Sequence, residues 1–176
     1  MSRKKANVKR HQILADVKYR SKNVSRFINY MMKDGKKVKA ENIFYRACDL
    51  LEAKTDMHPL DAFNAVIKKA SPLVEVKSRR VGGATYQTPV ELREERRLIL
   101  AMRWLVAFSR KRSEKSMEAK LAGEFIDVLN SRGATLKKKD DLFKMAESNR
   151  VFASVKPALT RKVEADSREE VEKKAS

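Results

Sequence analysis

Four short runs of the sequence gather fixed cations where a chain turns or an element ends. They are Gly35-Lys36-Lys37, Lys77-Ser78-Arg79-Arg80, Arg93 with Arg96-Arg97, and Arg110-Lys111-Arg112 with Lys115. Arginine dominates these runs, and its planar fork suits paired contacts to phosphate oxygens and base edges better than an ammonium does. A fifth set, Arg3, Lys4, Lys5, Lys9 and Arg10, crowds the start of the chain. The chemistry on offer is binding of a polyanion. Isolated residues such as Lys54, Lys68 and Lys69 are more simply the solvated faces of helices.

Covalent chemistry has no comparable signal. The two histidines, His11 and His58, stand far apart, and no HExxH, GxSxG, GxGxxG or phosphate-loop pattern occurs. Asp34-Gly35-Lys36-Lys37 lacks the upstream glycine and the following Ser or Thr of a phosphate loop. Glu94 and Glu95 are consecutive, so on a helix they point about 100° apart and cannot flank one substrate bond. A single cysteine, Cys48, forms neither an internal disulfide nor a thiolate zinc site by itself. The expectation is no enzyme, no catalytic residue, no metal site and no cofactor.

Charge supports that reading. Over 176 residues, 41 Lys and Arg face 23 Asp and Glu, a formal net charge of +18. Such self-repulsion is relieved when a polyanion such as nucleic acid neutralises it. Between Met1 and Lys22, eight cations face Asp16 alone, whereas from Ala158 to Ser176 five cations balance five carboxylates. The first segment therefore reads as an arm, residues 1–20, that orders on phosphate, and residues 156–176 as a charge-neutral, flexible tail. The opening has no apolar signal segment and no stretch reaches about 18 apolar residues, so a cytoplasmic protein with no membrane contact is expected.

The elements that must carry these cations follow from periodicity. Val24, Phe27, Ile28 and Met31 fall at i, i+3, i+4 and i+7, which predicts a first helix over 21–33 with Gly35 as its stop. A second, over 38–53, carries Ala40, Ile43, Phe44, Ala47, Leu50 and Leu51, with Cys48 at the border of that face as a small core residue. Pro59 suits the first position of a third helix, with His58 at its cap and Leu60, Phe63, Ile67 and Ala70 inside. A fourth, over 93–112, is apolar nearly all round and so expected at the centre of the bundle, with Trp104 in the core. Its first-turn Glu94 and Glu95 and last-turn Arg110 to Arg112 match the macrodipole. A fifth helix over 116–130 presents Met117, Leu121, Phe125 and Val128 or Leu129. A sixth over 138–154 presents Leu142, Met145, Ala146, Asn149 and Phe152, with Asp140 and Asp141 in its first turn.

Between the third and fourth helices the period changes to two. Val74, Val76, Ser78 and Arg80 alternate with Glu75, Lys77 and Arg79, and Gly82-Gly83 interrupts the run before Thr85 to Val90, which predicts a hairpin. A two-residue turn would set Val76 opposite Pro89, whereas a three-residue loop Gly82-Gly83-Ala84 pairs Val76 with Val90. Parity of the apolar positions favours the longer loop. Tyr86 either stacks on an unpaired base or packs with Val76 and Val90. The result is a mainly α single domain over 21–155: about six helices, one protruding β-hairpin at 73–90 between helices three and four, and the basic arm. Because the fourth helix is too apolar to read a DNA groove, a folded RNA recognised by shape is the expected ligand. A free-standing RNA chaperone or regulatory RNA-binding protein is the alternative.

One stretch is long enough to carry a family resemblance. Glu75-Val-Lys-Ser-Arg-Arg-Val-Gly-Gly-Ala-Thr-Tyr-Gln-Thr-Pro-Val-Glu-Leu-Arg through Glu95-Arg96-Arg97, followed by Leu100-Ala-Met-Arg-Trp-Leu105, closely resembles the signature of the small-subunit ribosomal protein S-seven family. Asp34-Gly-Lys-Lys, Ala40-Glu, Ile43-Phe-Tyr, Pro59-Leu, Ala62-Phe63, Met145-Ala-Glu and Asn149 resemble its other helices in order and spacing. The resemblance implies a ribosomal protein that binds the 3′ (head) domain of small-subunit rRNA and nucleates its assembly. It also implies neighbouring head and platform proteins, and nearby exit-site tRNA and mRNA. The ribbon residues Arg79, Arg80, Gly82, Gly83 and Tyr86 then lie toward tRNA and mRNA. The arm, Lys36, Lys37, Lys77, Arg93, Arg96, Arg97 and Arg110 to Lys115 face rRNA, in a bacterial or organelle-encoded ribosome. The sequence departs from many members at Val17, where they have proline, and after Asn149.

Overall fold

The computed structural model describes residues 12–81 and 84–150, with backbone alone for Arg79, Arg80, Val81 and Ala84. The cations Arg3, Lys4, Lys5, Lys9 and Arg10, the turn glycines Gly82 and Gly83, Phe152, and the neutral tail lie outside the described residues. The elements run α1 (Lys22–Met31), α2 (Lys37–Thr55), α3 (Pro59–Ala70), β1 (Val74–Val81), β2 (Ala84–Glu91), α4 (Glu94–Lys111), α5 (Met117–Leu129) and α6 (Ala134–Ser148). They form two compact units, one of residues 12–71 with Leu98–Leu136, the other of Pro72–Arg97 with 137–150. The division falls inside α4 and inside α6.

The first unit is organised by one aromatic side chain from each of α1, α2, α3 and α5. Phe27, Phe44, Phe63 and Phe125 are all fully buried. Their ring centroids lie 5.2 Å (Phe44 to Phe63) to 5.9 Å (Phe63 to Phe125) apart in edge-on or tilted pairs. Such pairs add about 0.5–1.5 kcal/mol each beyond the area they bury. The predicted stripe of α1 is buried throughout: Val24, Phe27 and Ile28 are inaccessible and Met31 is 5% exposed. Cys48 is fully enclosed, as its place on the border of the α2 face predicts, and burial pushes its thiol up to about 12. Leu50, expected on that face, is exposed instead. His58 does cap α3, ahead of Pro59.

Four further expectations change. Helix α1 stops at Met31, before Gly35 can act as its terminator. Asp34 and Gly35, both left-handed at φ 53° and 69°, instead make a tight turn closed by the Lys36 amide on the Lys33 carbonyl at 3.0 Å. Helix α4 buries one stripe, Ala101, Met102, Leu105, Val106 and Ser109, and leaves Trp104 only half-buried. A straight helix can turn only part of its circumference toward one core, however apolar the rest. Helix α6 starts at Ala134, earlier than expected, and has no carboxylate in its first turn; Met145 is exposed.

The fourth change is the ribbon register. In the second unit β1 and β2 pair antiparallel with Val76 opposite Pro89, Lys77 opposite Thr88, Arg79 opposite Tyr86, and Val81 opposite Ala84. Only Gly82 and Gly83 remain between the strands, so the shorter link holds and the apolar-parity argument loses. Two residues are the commonest hairpin connection, and a Gly-Gly pair suits the positive φ such connections require. Tyr86 therefore shares its face with Arg79 and Lys77, not with Val76.

Candidate nucleic-acid interface

In the first unit, Met31, Met32, Ala40, Ile43 and Met117 line an open cavity of about 310 Å³, with Lys33, Asp34, Lys36, Lys39 and Arg110 also around it. Chain order explains the gathering. The tight turn at Asp34-Gly35 places Lys33 and Lys36 at its two ends, and Lys39 follows in the first turn of α2. Arg110 arrives from the end of α4 and donates from Nη2 to the Met31 carbonyl at 3.0 Å. Met31 is the last residue of α1, whose carbonyl has no partner within the helix, so a guanidinium there satisfies an acceptor and matches the dipole. Lys33, Lys36 and Lys39 are exposed and make no ion pair among the described residues, whereas Lys37 bridges to Glu41 at 3.5 Å. Sequence reasoning named Lys36, Lys37 and Arg110 but passed over Lys33 and Lys39. A spacing of three, which brings residues to one side of a turn or helix, is the signal that would have found them.

The run at the end of α4 does not act as one patch. Arg110 turns to Met31, and Lys111 lies over the Phe108 ring with its ammonium 5.6 Å from the centroid. Arg112 turns inward, donating from Nε to Glu114 at 2.9 Å and from Nη1 to Glu124 at 3.2 Å and to Asp127. Its side chain is 26% exposed and that of Glu124 only 1%. Burial alone would release the guanidinium proton more easily, but hydrogen bonds to Asp127, Glu114 and Glu124 hold it more tightly than usual. Lys115, just beyond, is exposed.

Glu124 has a second task. Its Oε1 accepts from the Thr135 amide at 3.2 Å and the Thr135 hydroxyl at 2.6 Å, in the first turn of α6. A carboxylate from α5 thus supplies the negative charge that the first turn of α6 lacks in its own sequence. The Gly133 backbone is left-handed (φ 101°), and a Cβ there would sit 3.2 Å from that of Asp127, so the approach to α6 requires glycine.

The second unit carries the ribbon cations. Lys77 and Arg93 are exposed. Arg96 donates to Glu75 Oε1 at 3.0 Å, and Arg97 donates from Nε to the Leu92 carbonyl at 2.8 Å. The Leu92 amide in turn donates to the Leu73 carbonyl at 3.1 Å, extending the strand pairing by one rung. These bonds hold the base of the ribbon to the first turn of α4. Tyr86 is 39% exposed and sits opposite Arg79 in the register.

The last residues of the 1–20 arm, Asp16 to Tyr19, are anchored in the first unit. Asp16, 6% exposed, accepts from the Tyr45 hydroxyl at 2.8 Å and the Tyr19 amide at 3.0 Å. Lys18 pairs with Asp49 at 3.3 Å, its ammonium just over 5 Å from the Tyr19 and Tyr45 rings. Burial first, then the neighbouring Asp16, pushes the Tyr45 hydroxyl up to about 12; burial and the nearby Cys48 raise that of Tyr19 as well.

Among the described residues no group of three or more His, Cys, Asp or Glu is placed to hold a metal ion, and no helix is long and apolar enough to cross a membrane. A family model described as ribosomal protein S7p/S5e matches residues 2–150. The chain belongs to that family. Ribosomal protein S7p/S5e members are structural ribosomal proteins, not enzymes. The small ribosomal subunit protein uS7 of Gemmatimonas aurantiaca is 54% identical over 153 residues, 87% of this chain and 97% of its own. The uS7 of Caulobacter vibrioides is 53% identical over 154 residues, covering 87% and 98%. That of Desulfatibacillum aliphaticivorans is 50% identical over 150 residues, covering 85% and 96%. The S7p/S5e match spans both compact units and every described cation.

Proposed function

We propose that the chain is a structural component of a bacterial small ribosomal subunit, where it binds the 3′ (head) domain of the rRNA and nucleates its assembly. The observation that carries this is family membership across residues 2–150, with uS7 relatives at about 50% identity. The cavity rim, with Lys33, Lys36, Lys39 and Arg110, is one rRNA surface. Lys77, Arg93 and the strand positions Arg79 and Arg80 make another, with the arm cations Arg3, Lys4, Lys5, Lys9 and Arg10 adding further phosphate contacts. The ribbon, with Gly82, Gly83 and Tyr86, lies near exit-site tRNA and mRNA, and head and platform proteins are neighbours. Arg112 is assigned to the internal carboxylate cluster, and Arg96 and Arg97 serve first to hold the ribbon base.

Two measurements test this reading. If about 6–10 phosphates are neutralised, affinity for a transcript of the rRNA 3′ domain falls by about 10³–10⁵ between 50 and 200 mM salt. In sucrose gradients at moderate salt the protein sediments with the small subunit. A flat salt response, or a protein that washes into the soluble fraction as a free chaperone would, overturns the proposal.

A further inference from the structure

We infer that the cavity between the end of α1, the start of α2, the end of α4 and the start of α5 receives one unstacked, unpaired nucleotide. The inference deepens the rRNA-binding reading and rests on it. Two features select a nucleotide over a duplex backbone. The lining is apolar and rich in thioethers, with Met31, Met32 and Met117 beside Ala40 and Ile43, whereas phosphate alone calls for no such floor. Methionine sulfur is polarisable and packs well against aromatic faces. The rim is cationic, with Lys33, Lys36, Lys39 and Arg110 against the single carboxylate of Asp34. A base on that floor with its phosphates at that rim satisfies both, in the manner of stacking platforms in charged grooves.

Size and rigidity agree. A volume of about 310 Å³ is at the lower end of cavities that hold small molecules, about 300–1,000 Å³, and suits one base better than a stacked pair. The wall is preformed. Arg110 is fixed on the Met31 carbonyl at 3.0 Å, and the Lys33 to Lys36 turn is closed by its own hydrogen bond. Ordering these groups on binding therefore costs little.

The test uses the full chain and a 3′-domain rRNA transcript carrying 4-thiouridine. Irradiation of the complex should give cross-links on peptides containing Met31, Met32 or Met117. Met117→Trp, which fills the cavity without changing charge, should weaken binding about 5- to 150-fold, the worth of one stacked base, with the salt slope unchanged. Lys33→Ala with Lys36→Ala and Lys39→Ala should lower that slope by about 2–3. Circular dichroism shows whether each variant folds, and the cross-links on the unmodified chain stand whether or not a variant does. If the wild-type chain binds the transcript with the expected salt slope but no cross-link falls on these methionines, the nucleotide site is wrong while the rRNA reading survives. No binding at all sinks both. Should Met117→Trp keep full RNA affinity yet lose capture of a polyglutamate peptide, the occupant is an acidic protein segment and the inference is overturned.

Discussion

Replacing Arg112 with alanine separates a scaffold role from an RNA-contact role at a residue whose sequence context points to RNA. In the folded chain Glu124 Oε2 is held by Arg112 Nη1 at 3.2 Å, while Oε1 keeps two donors from Thr135. Arg112→Ala therefore strands a carboxylate whose side chain is 1% exposed. Removing one partner of a buried pair costs about 3–5 kcal/mol. Because the Arg112 side chain is 26% exposed, water can enter its place, and the lower end of that range, about 3 kcal/mol, applies. Asp127 and Glu114, 34% and 33% exposed, rehydrate and add close to nothing. For a chain of this length about 2–4 °C is lost per kcal/mol, so Tm should fall by roughly 6–12 °C. Thermal melting followed at 222 nm measures this, alongside rRNA binding at a temperature well below both melting points. Glu124→Gln placed on the Arg112→Ala background removes the stranded charge and should recover part of the loss, a coupling of about 0.5–3 kcal/mol. Arg112→Lys should be intermediate, since an ammonium cannot fork across three carboxylates. An Arg112→Ala chain that melts with the wild type but binds RNA more weakly would refute the reasoning.

Other expectations follow from the same contacts. Arg79→Ala with Arg80→Ala should lower the salt slope of RNA binding by about 1.4–1.8 and leave helicity and Tm unchanged, because both positions lie in β1 and outside the helical core; equal melting of the fold would make them structural. Phe63→Ala, which empties the centre of the aromatic cluster, should cost about 3–5 kcal/mol, whereas half-buried Trp104→Ala should cost under about 2 kcal/mol. Denaturant midpoints rank the two, and a larger loss at Trp104 contradicts the assignment of the core. Stability should fall as pH rises from about 9 toward 12, because Tyr45 and Cys48 titrate near 12 in the folded chain and Tyr19 is raised too, while the unfolded chain releases these protons at ordinary values. The tyrosinate absorbance of Tyr19 and Tyr45 near 295 nm should therefore rise together with loss of helix. Ionisation of these two near pH 10 with the helical signal intact would contradict it.

Helix existence was legible in the chain because burial on one side leaves a periodic mark. The stripe Val24, Phe27, Ile28 and Met31, the Pro59 start of α3 and the enclosed Cys48 all follow from spacing alone. So did the family, since the ribbon run from Glu75 to Arg97 is long and ordered. Quantities that depend on which elements meet were not legible. Apolar parity favoured the wrong hairpin register because it counts side chains and ignores the geometry of the link. Trp104 looked central because composition cannot say which side of an apolar helix faces the core.

The cations divide along the same line. Sequence by itself determined that this chain is an α-rich, strongly basic scaffold with a ribbon, since net charge and period are sums over neighbouring residues. Only tertiary structure decided what each cation does. Consecutive residues on a helix point about 100° apart and α4 ends at Lys111, so Arg110, Lys111 and Arg112 just beyond it reach a helix end, an aromatic face and a buried carboxylate. Glu124 lies 12 residues from Arg112 and 11 from Thr135. Their meeting, and with it the early start of α6 at Ala134, exists only once α5 has packed beside them.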